Sequence, residues 1–122
     1  MPEYKIELED RYGSLNLIDV TAEVAAVTDQ WVNRTLTTVN DSLVRLGVVE
    51  GDFHWHKHDD EDEFFYVVEG ELHIEVEGRD PFVLRPGQGV TIPRGVMHRP
   101  RAPVRTAMLM VEPATIAPTG SD

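Results

Sequence analysis

An all-β domain, a sandwich or a barrel, is the fold class that the 122 residues predict. Three observations carry the prediction. Short runs rich in Val, Ile, Leu, Phe and Thr recur along the chain. Gly, Pro, Asp or Asn interrupts them at intervals of about eight to twelve residues, the spacing of strands and turns in such folds. No segment combines helical periodicity with helix length, apart from a short turn.

In chain order the expected strands are Leu15 to Ile18, Arg34 to Val39, Ser42 to Val49, Phe53 to His58, Glu63 to Glu69, Glu71 to Val76, Asp80 to Leu84, Gly89 to Ile92, Met97 to Arg101 and Thr106 to Val111. The stretch Thr21 to Val27 reads as a helical turn capped by Thr21. Gly51-Asp52, Glu69-Gly70 and Glu77-Gly78-Arg79-Asp80 read as hairpin turns joining antiparallel neighbours. Residues 1–112 then form a single domain. Residues 113–122 hold two prolines and little apolar content, and are expected to be loose or draped on the surface.

Composition narrows the chemistry. Cysteine is absent, so disulfides, thiolate ligands and a cysteine nucleophile are excluded, and any metal must be held by His and carboxylates. The formal charge of −11 argues against nucleic acid, since eleven basic residues against twenty-two acidic ones do not readily build a phosphate-binding face. No apolar run reaches the roughly 18 residues of a membrane span, and the polar start MPEYKIELEDRY lacks a secretory pattern, so a cytoplasmic location is expected. Five consecutive acids, Asp59 to Glu63, form a solvated loop that also raises the local cation concentration.

A histidine cluster precedes that loop. With Phe53 to His58 as a strand, alternation places His54, His56 and His58 on one face and Trp55 and Lys57 on the other. Glu63 opens a strand in which Phe65 and Val67 share its face, and a carboxylate heading a core stripe needs a partner, for which metal is the natural choice. His98 follows Pro93-Arg94-Gly95, a turn able to aim the next strand inward. His73 has Leu72, Ile74 and Val76 on the opposite face and is expected outside.

These residues carry a resemblance. Gly51-x4-His56-x-His58-x4-Glu63-x6-Gly70 resembles the first cupin motif, and Gly87-x5-Pro93-x-Gly95-x2-His98 resembles the second. There are two departures: one residue fewer separates the first Gly and His, and Ala102 stands where the second motif often ends in Asn. The resemblance implies a double-stranded β-helix, a jelly-roll barrel open at its wide end, with His56, His58, Glu63 and His98 converging inside on one divalent transition metal. Three imidazoles and a carboxylate suit Fe, Mn, Ni or Zn better than Ca or Mg.

The expected function is that of a metal-dependent enzyme on a small oxygenated molecule, an isomerase of a sugar or sugar acid or a dioxygenase. A non-catalytic module binding a small molecule or the metal is the alternative. Glu63 is a candidate base as well as a ligand, and His54 a candidate for orienting a ligand or accepting a substrate proton. Arg94, Arg99 and Arg101 bracket His98 and would favour an anionic substrate, while Phe65, Val67, Met108 and Met110 are candidates for pocket or core. A homodimer is expected, with the alternating stretch Tyr4 to Ile18 adding a strand to a partner.

Overall fold

A computed structural model describes residues 4–121; the first three residues of the expected N-terminal region and Asp122 of the tail lie outside it. The elements run β1 (Lys5–Glu7), α1 (Val20–Ala26), β2 (Trp31–Val39), β3 (Ser42–Asp52), β4 (Glu63–Glu69), β5 (Leu72–Val76), β6 (Arg79–Leu84), β7 (Gly89–Ile92) and β8 (His98–Pro113). Strands dominate, as the apolar alternation predicts.

The strand β8 organises the molecule. It pairs antiparallel with β3 along its length, with β5 through residues 98–101 and with β4 through residues 107–111. β2 pairs with β3, β7 with β4 and β6 with β5, giving the order β1-β2-β3-β8-β4-β7 with β5 and β6 attached to the start of β8. Side chains alternating along these strands meet inside as one core, which includes Trp31, Val49, Phe65, Val67, Leu72, Ile74, Met108 and Met110. A second core lies on the other face of β2, β3 and β8. There Val24 and Val27 cover Val32, Leu36, Leu46, Val48 and Ala107. The three central strands are thus packed against apolar residues on both faces.

Several local expectations are corrected. Met97 to Arg101 and Thr106 to Val111 are two parts of the single strand β8, because Pro103 falls where register shifts in its ladders leave no hydrogen bond to lose. Leu15 to Ile18 is not a strand: Leu15 takes a positive φ of 60°, and Leu15 and Leu17 are exposed. The helix is capped by Asp19, whose carboxylate accepts from the Ala22 amide at 3.0 Å, and not by Thr21. Gly51-Asp52 is no hairpin but continues β3 past a bulge, and Gly70 joins β4 to β5, which pair side by side with β8 and not with each other. The Gly78 hairpin is as expected, with Val76 paired to Arg79.

The N-terminal strand folds back on its own chain, parallel to β2, with Lys5 opposite Val32. Within the chain β1 ends the sheet order and is paired on one side only. The tail is draped on the molecule, and it is tied down: Ile116 is buried, and the Ser121 amide donates to Lys57 O at 2.8 Å.

Candidate metal centre

Phe53 to His58 is not a strand. Only His56 joins the sheet, in a bridge to His98 with the two amides donating to the opposite carbonyls at 2.9 and 2.8 Å. Released from strand alternation, the three imidazoles separate. His56 and His58 turn inward and are buried, while His54 turns to the tail, its Nε2 bonded to Thr119 O at 2.7 Å. Glu63 and His98 are the first residues of β4 and β8, and both are buried. The Pro93 to Gly95 turn fixes the approach. Gly95, at φ 79°, donates its amide to His58 O at 2.7 Å, and the Arg94 amide donates to the Asp62 carboxylate at 2.9 Å.

The candidate ligand atoms of His56, His58, Glu63 and His98 all lie within 4.8 Å of one another. Glu63 Oε1 stands 3.4 Å from His58 Nε2 and 3.4 Å from His98 Nε2. None of these three atoms has a hydrogen-bond partner. The tautomers sharpen the point: His98 Nδ1 donates to Val96 O at 2.9 Å and His56 Nδ1 to His54 O at 3.0 Å, which leaves Nε2 of each neutral ring as a lone pair. A buried lone pair therefore faces a buried carboxylate oxygen, an arrangement that costs free energy unless a cation lies between them. Separations of this size suit ligands each about 2.1 Å from a shared ion. The residues fit a divalent transition metal.

Charge around the cluster points the same way. Burial, the neighbouring His98 and the other imidazole lower the His56 pKa to about 4, against the pull of His54 O and Glu63, so the ring is neutral at pH 7. Burial alone would raise the Glu63 carboxyl, but His58, His98 and Glu112 hold it below the usual carboxylate range. Glu112 goes the other way: burial and then Glu63 push it up to about 9, with Arg45 opposing. The two carboxyls thus shift in opposite directions, Glu63 toward the charged form and Glu112 toward the neutral one. Arg45, fully buried, anchors this pair from below, with Nη1 3.2 Å from Glu112 Oε1 and Nε donating to Thr35 Oγ1 at 3.1 Å.

Beside the cluster is a small cavity of ≈ 20 Å³ that opens to solvent. Phe65, Met108 and Met110 line it, as two of the expected strands suggested, while Val67 is plain core. Trp31, Asn33 and Phe53 line it too and were not anticipated. Arg99 and Arg101 both pair with Glu75 on β5, at 2.6 and 2.9 Å, and Arg94 sits 3.7 Å from Asp62. None of the three lines the cavity. His73 is part-exposed and bonded to Glu71 at 2.7 Å, apart from the cluster. In the acidic loop Asp59, Asp60 and Asp62 are exposed, but Glu61 is buried and accepts from Thr115 Oγ1 of the tail at 2.9 Å.

Sequence reasoning missed Arg45, Glu112 and Asn33. A signal was present: Arg45 and Glu112 each interrupt an apolar run, and strand alternation gives Arg45 the face of Val49.

A β-barrel that gathers three histidines and a glutamate around one buried point could hold a metal ion there. Residues 42–112 match the family model for the Cupin domain, and the chain belongs to the cupin family. It is 41% identical over 97 residues to protein YdbB of Bacillus subtilis (strain 168), covering 80% of this chain and 83% of that one. Among solved structures it is similar to a cupin-2 domain containing protein from Shewanella frigidimarina NCIMB 400, with a TM-score of 0.75 and 34% identity over 80% of this chain and 94% of that one. The fold is also shared with ectoine synthase from P. lautus, at a TM-score of 0.64 and 20% identity, covering 81% of this chain and 78% of that one.

Proposed function

We propose that this cupin is an enzyme that acts on a small oxygenated molecule, as an isomerase of a sugar or sugar acid or as a dioxygenase, with His56, His58, Glu63 and His98 as ligands to one divalent transition metal. The carrying observation is the buried lone pair of His98 Nε2 held 3.4 Å from Glu63 Oε1 with no donor between them. When bound, such an ion supplies Lewis acidity toward a substrate oxygen.

The protein's own residues do the rest. His56, His58 and His98 supply neutral nitrogens, and the His54 and Val96 carbonyls fix the rings of His56 and His98. Glu63 carries the negative charge and is the group placed to take or return a substrate proton at Oε1, since it faces both the cluster and the cavity. His54 acts through its carbonyl on His56 and through its ring on the tail, an orienting role. The apolar lining of the small cavity leaves little room for water beside the cluster.

Elemental analysis of untagged protein, followed by aerobic and anaerobic assays on diketones, catechols and keto-sugars, tests the reading. Oxygen consumption would select dioxygenation, and anaerobic conversion at constant mass would select isomerisation. Protein that binds no transition metal even when supplied with it would sink the proposal.

A further inference from the structure

The four-residue cluster is shut in. His58 and His98 are 2% and 1% exposed, and the cavity of ≈ 20 Å³ beside them has room for about one water molecule. Neither an ion nor a substrate can pass to Glu63 unless part of the wall moves aside. Trp31, Phe53, Phe65, Met108 and Met110 all belong to the close-packed core, where a shift of one side chain displaces its neighbours. Pro118 is different, because the C-terminal tail contributes it.

That tail has two parts. Its root is anchored: Ile116 is buried, the Ala114 amide donates to Asp41 O at 2.8 Å, and Thr115 Oγ1 donates to the Glu61 carboxylate at 2.9 Å. Its tip, residues 117–121, turns back with the Gly120 amide donating to Ala117 O at 2.9 Å, and lies along the loop that carries His56 and His58. Three hydrogen bonds join tip and loop. His54 Nε2 donates to Thr119 O at 2.7 Å, the Ser121 amide to Lys57 O at 2.8 Å, and the Asp59 amide to Ser121 Oγ at 2.9 Å. Gly120 lies so close to the cluster that a Cβ added to it would come 2.7 Å from His56 Cβ.

Of the whole wall, this tip opens at least cost. Ala117 and Thr119 are exposed already, so lifting it uncovers little apolar surface beyond Pro118. A neutral hydrogen bond contributes about two- to tenfold to an equilibrium, so three of them hold the tip shut by at most about a thousandfold. Local openings of that size are more frequent than unfolding of a domain. Lifting withdraws Pro118 from the cavity and Gly120 from His56, and makes room where the closed protein has almost none.

We propose that residues 117–121 are a lid over the four-residue cluster, hinged at Ile116 and latched to residues 54–59, and that it must lift for a metal ion or a small molecule to enter or leave. That the exchanging species is an ion held by the cluster rests on the metal reading above; the lid's control of access to His56 does not.

The chain has no cysteine, so one introduced pair can be bridged and reopened without competing thiols. Asp59 and Ser121, already in contact through the 2.9 Å hydrogen bond, are the positions for it. The test uses the full chain with Asp59→Cys and Ser121→Cys, and two readouts. Zinc transfer to an excess of a chromogenic chelator follows the ion. Modification of His56 by diethyl pyrocarbonate in the metal-free protein, located by mass spectrometry, follows access without metal. Both are expected to run at least tenfold slower in the oxidised form than in the reduced one. In Gly120→Ala, where φ is 106° and the new methyl group meets His56, the tip is forced off and both should run at least threefold faster than in the wild type. A rate of His56 modification indifferent to the disulfide would overturn the lid, as would zinc transfer equally fast in both forms. If the bridge does not form, Gly120→Ala decides alone, and rates no faster than wild type reject the lid. Protein that binds no zinc while its His56 modification follows the disulfide would sink the metal reading alone. Bound zinc with both rates indifferent to the disulfide would sink the lid alone.

Discussion

At His58 both ring nitrogens are buried and neither has a hydrogen-bond partner. An imidazole in that state lacks the partners a buried polar group needs, beyond its influence on Glu63, unless it holds a ligand. Its removal therefore separates binding from stability. His58→Ala is expected to lower transition-metal affinity by at least tenfold, since even groups that only support a ligand contribute 10–100-fold. The metal-free melting temperature should stay level or rise. Elemental analysis and circular dichroism check both parts, and a variant that keeps its metal while losing stability would show His58 to be structural. The four cluster residues are legible in the sequence through the spacing of two motifs. The reason first available for them, strand alternation through residues 53–58, was unsound. Alternation groups His54 with His56 and His58, whereas the loop turns His54 outward to Thr119. Arg45 and Glu112 left only the weak trace of a charge in an apolar run, and Asn33 left none, because each acquires its meaning from another strand.

Elements are fixed by their turns. Gly70, at φ 88°, lies where an added Cβ would come within 2.6 Å of Arg105 O and 2.7 Å of Thr106 Cα, both backbone atoms that cannot move aside cheaply. Gly78, at φ 83°, has nothing within 4 Å of the same position. Gly78→Ala should therefore cost only the left-handed conformation, about 1–2 kcal/mol. Gly70→Ala carries the same strain plus displacement of β8 and should cost at least about 2 kcal/mol more. Urea unfolding of the two variants compares them, and equal costs would mean that β8 yields easily. Lateral contacts matter as well, because β5 is tied to the start of β8 by Glu75, which accepts from Arg99 and Arg101. Burial tends to raise the Glu75 carboxyl, but the two guanidiniums outweigh it and its pKa is lowered. A carboxylate depressed in the folded state stabilises above its unfolded pKa, near 4.3, and loses that contribution as pH falls through the folded value. Glu75→Gln should thus cost up to about 1 kcal/mol at pH 7, a partly screened contribution. That deficit should shrink as pH falls below about 4. A deficit independent of pH would assign the loss to packing. The proline-rich sequence of β8 hid its continuity, because a strand that changes partners part-way tolerates Pro103 at the change.

Over the whole molecule, packing and the metal site divide the work. The central strands β2, β3 and β8 are covered by apolar residues on both faces, with one core inside the barrel and another under α1. Neither core draws on the four cluster residues, so cooperative folding does not require the ion. What a metal adds is linkage: a ligand that prefers the folded state stabilises it by about 2.7 kcal/mol at a concentration of 100 Kd. For a domain of this length that corresponds to a rise of very roughly 10 °C in Tm. The unfolded chain keeps His54, His56 and His58 close in sequence and retains some affinity, which trims the shift. Nickel, manganese or zinc is therefore expected to raise Tm by up to about 10 °C, EDTA to reverse the rise, and the stripped protein still to melt in one cooperative step. Calcium should do little, because three nitrogen ligands suit it poorly. A stripped chain without a cooperative melt would make the ion a structural staple, and an equal rise in the His58→Ala protein would place the bound metal elsewhere, on the exposed acids of the 59–62 loop.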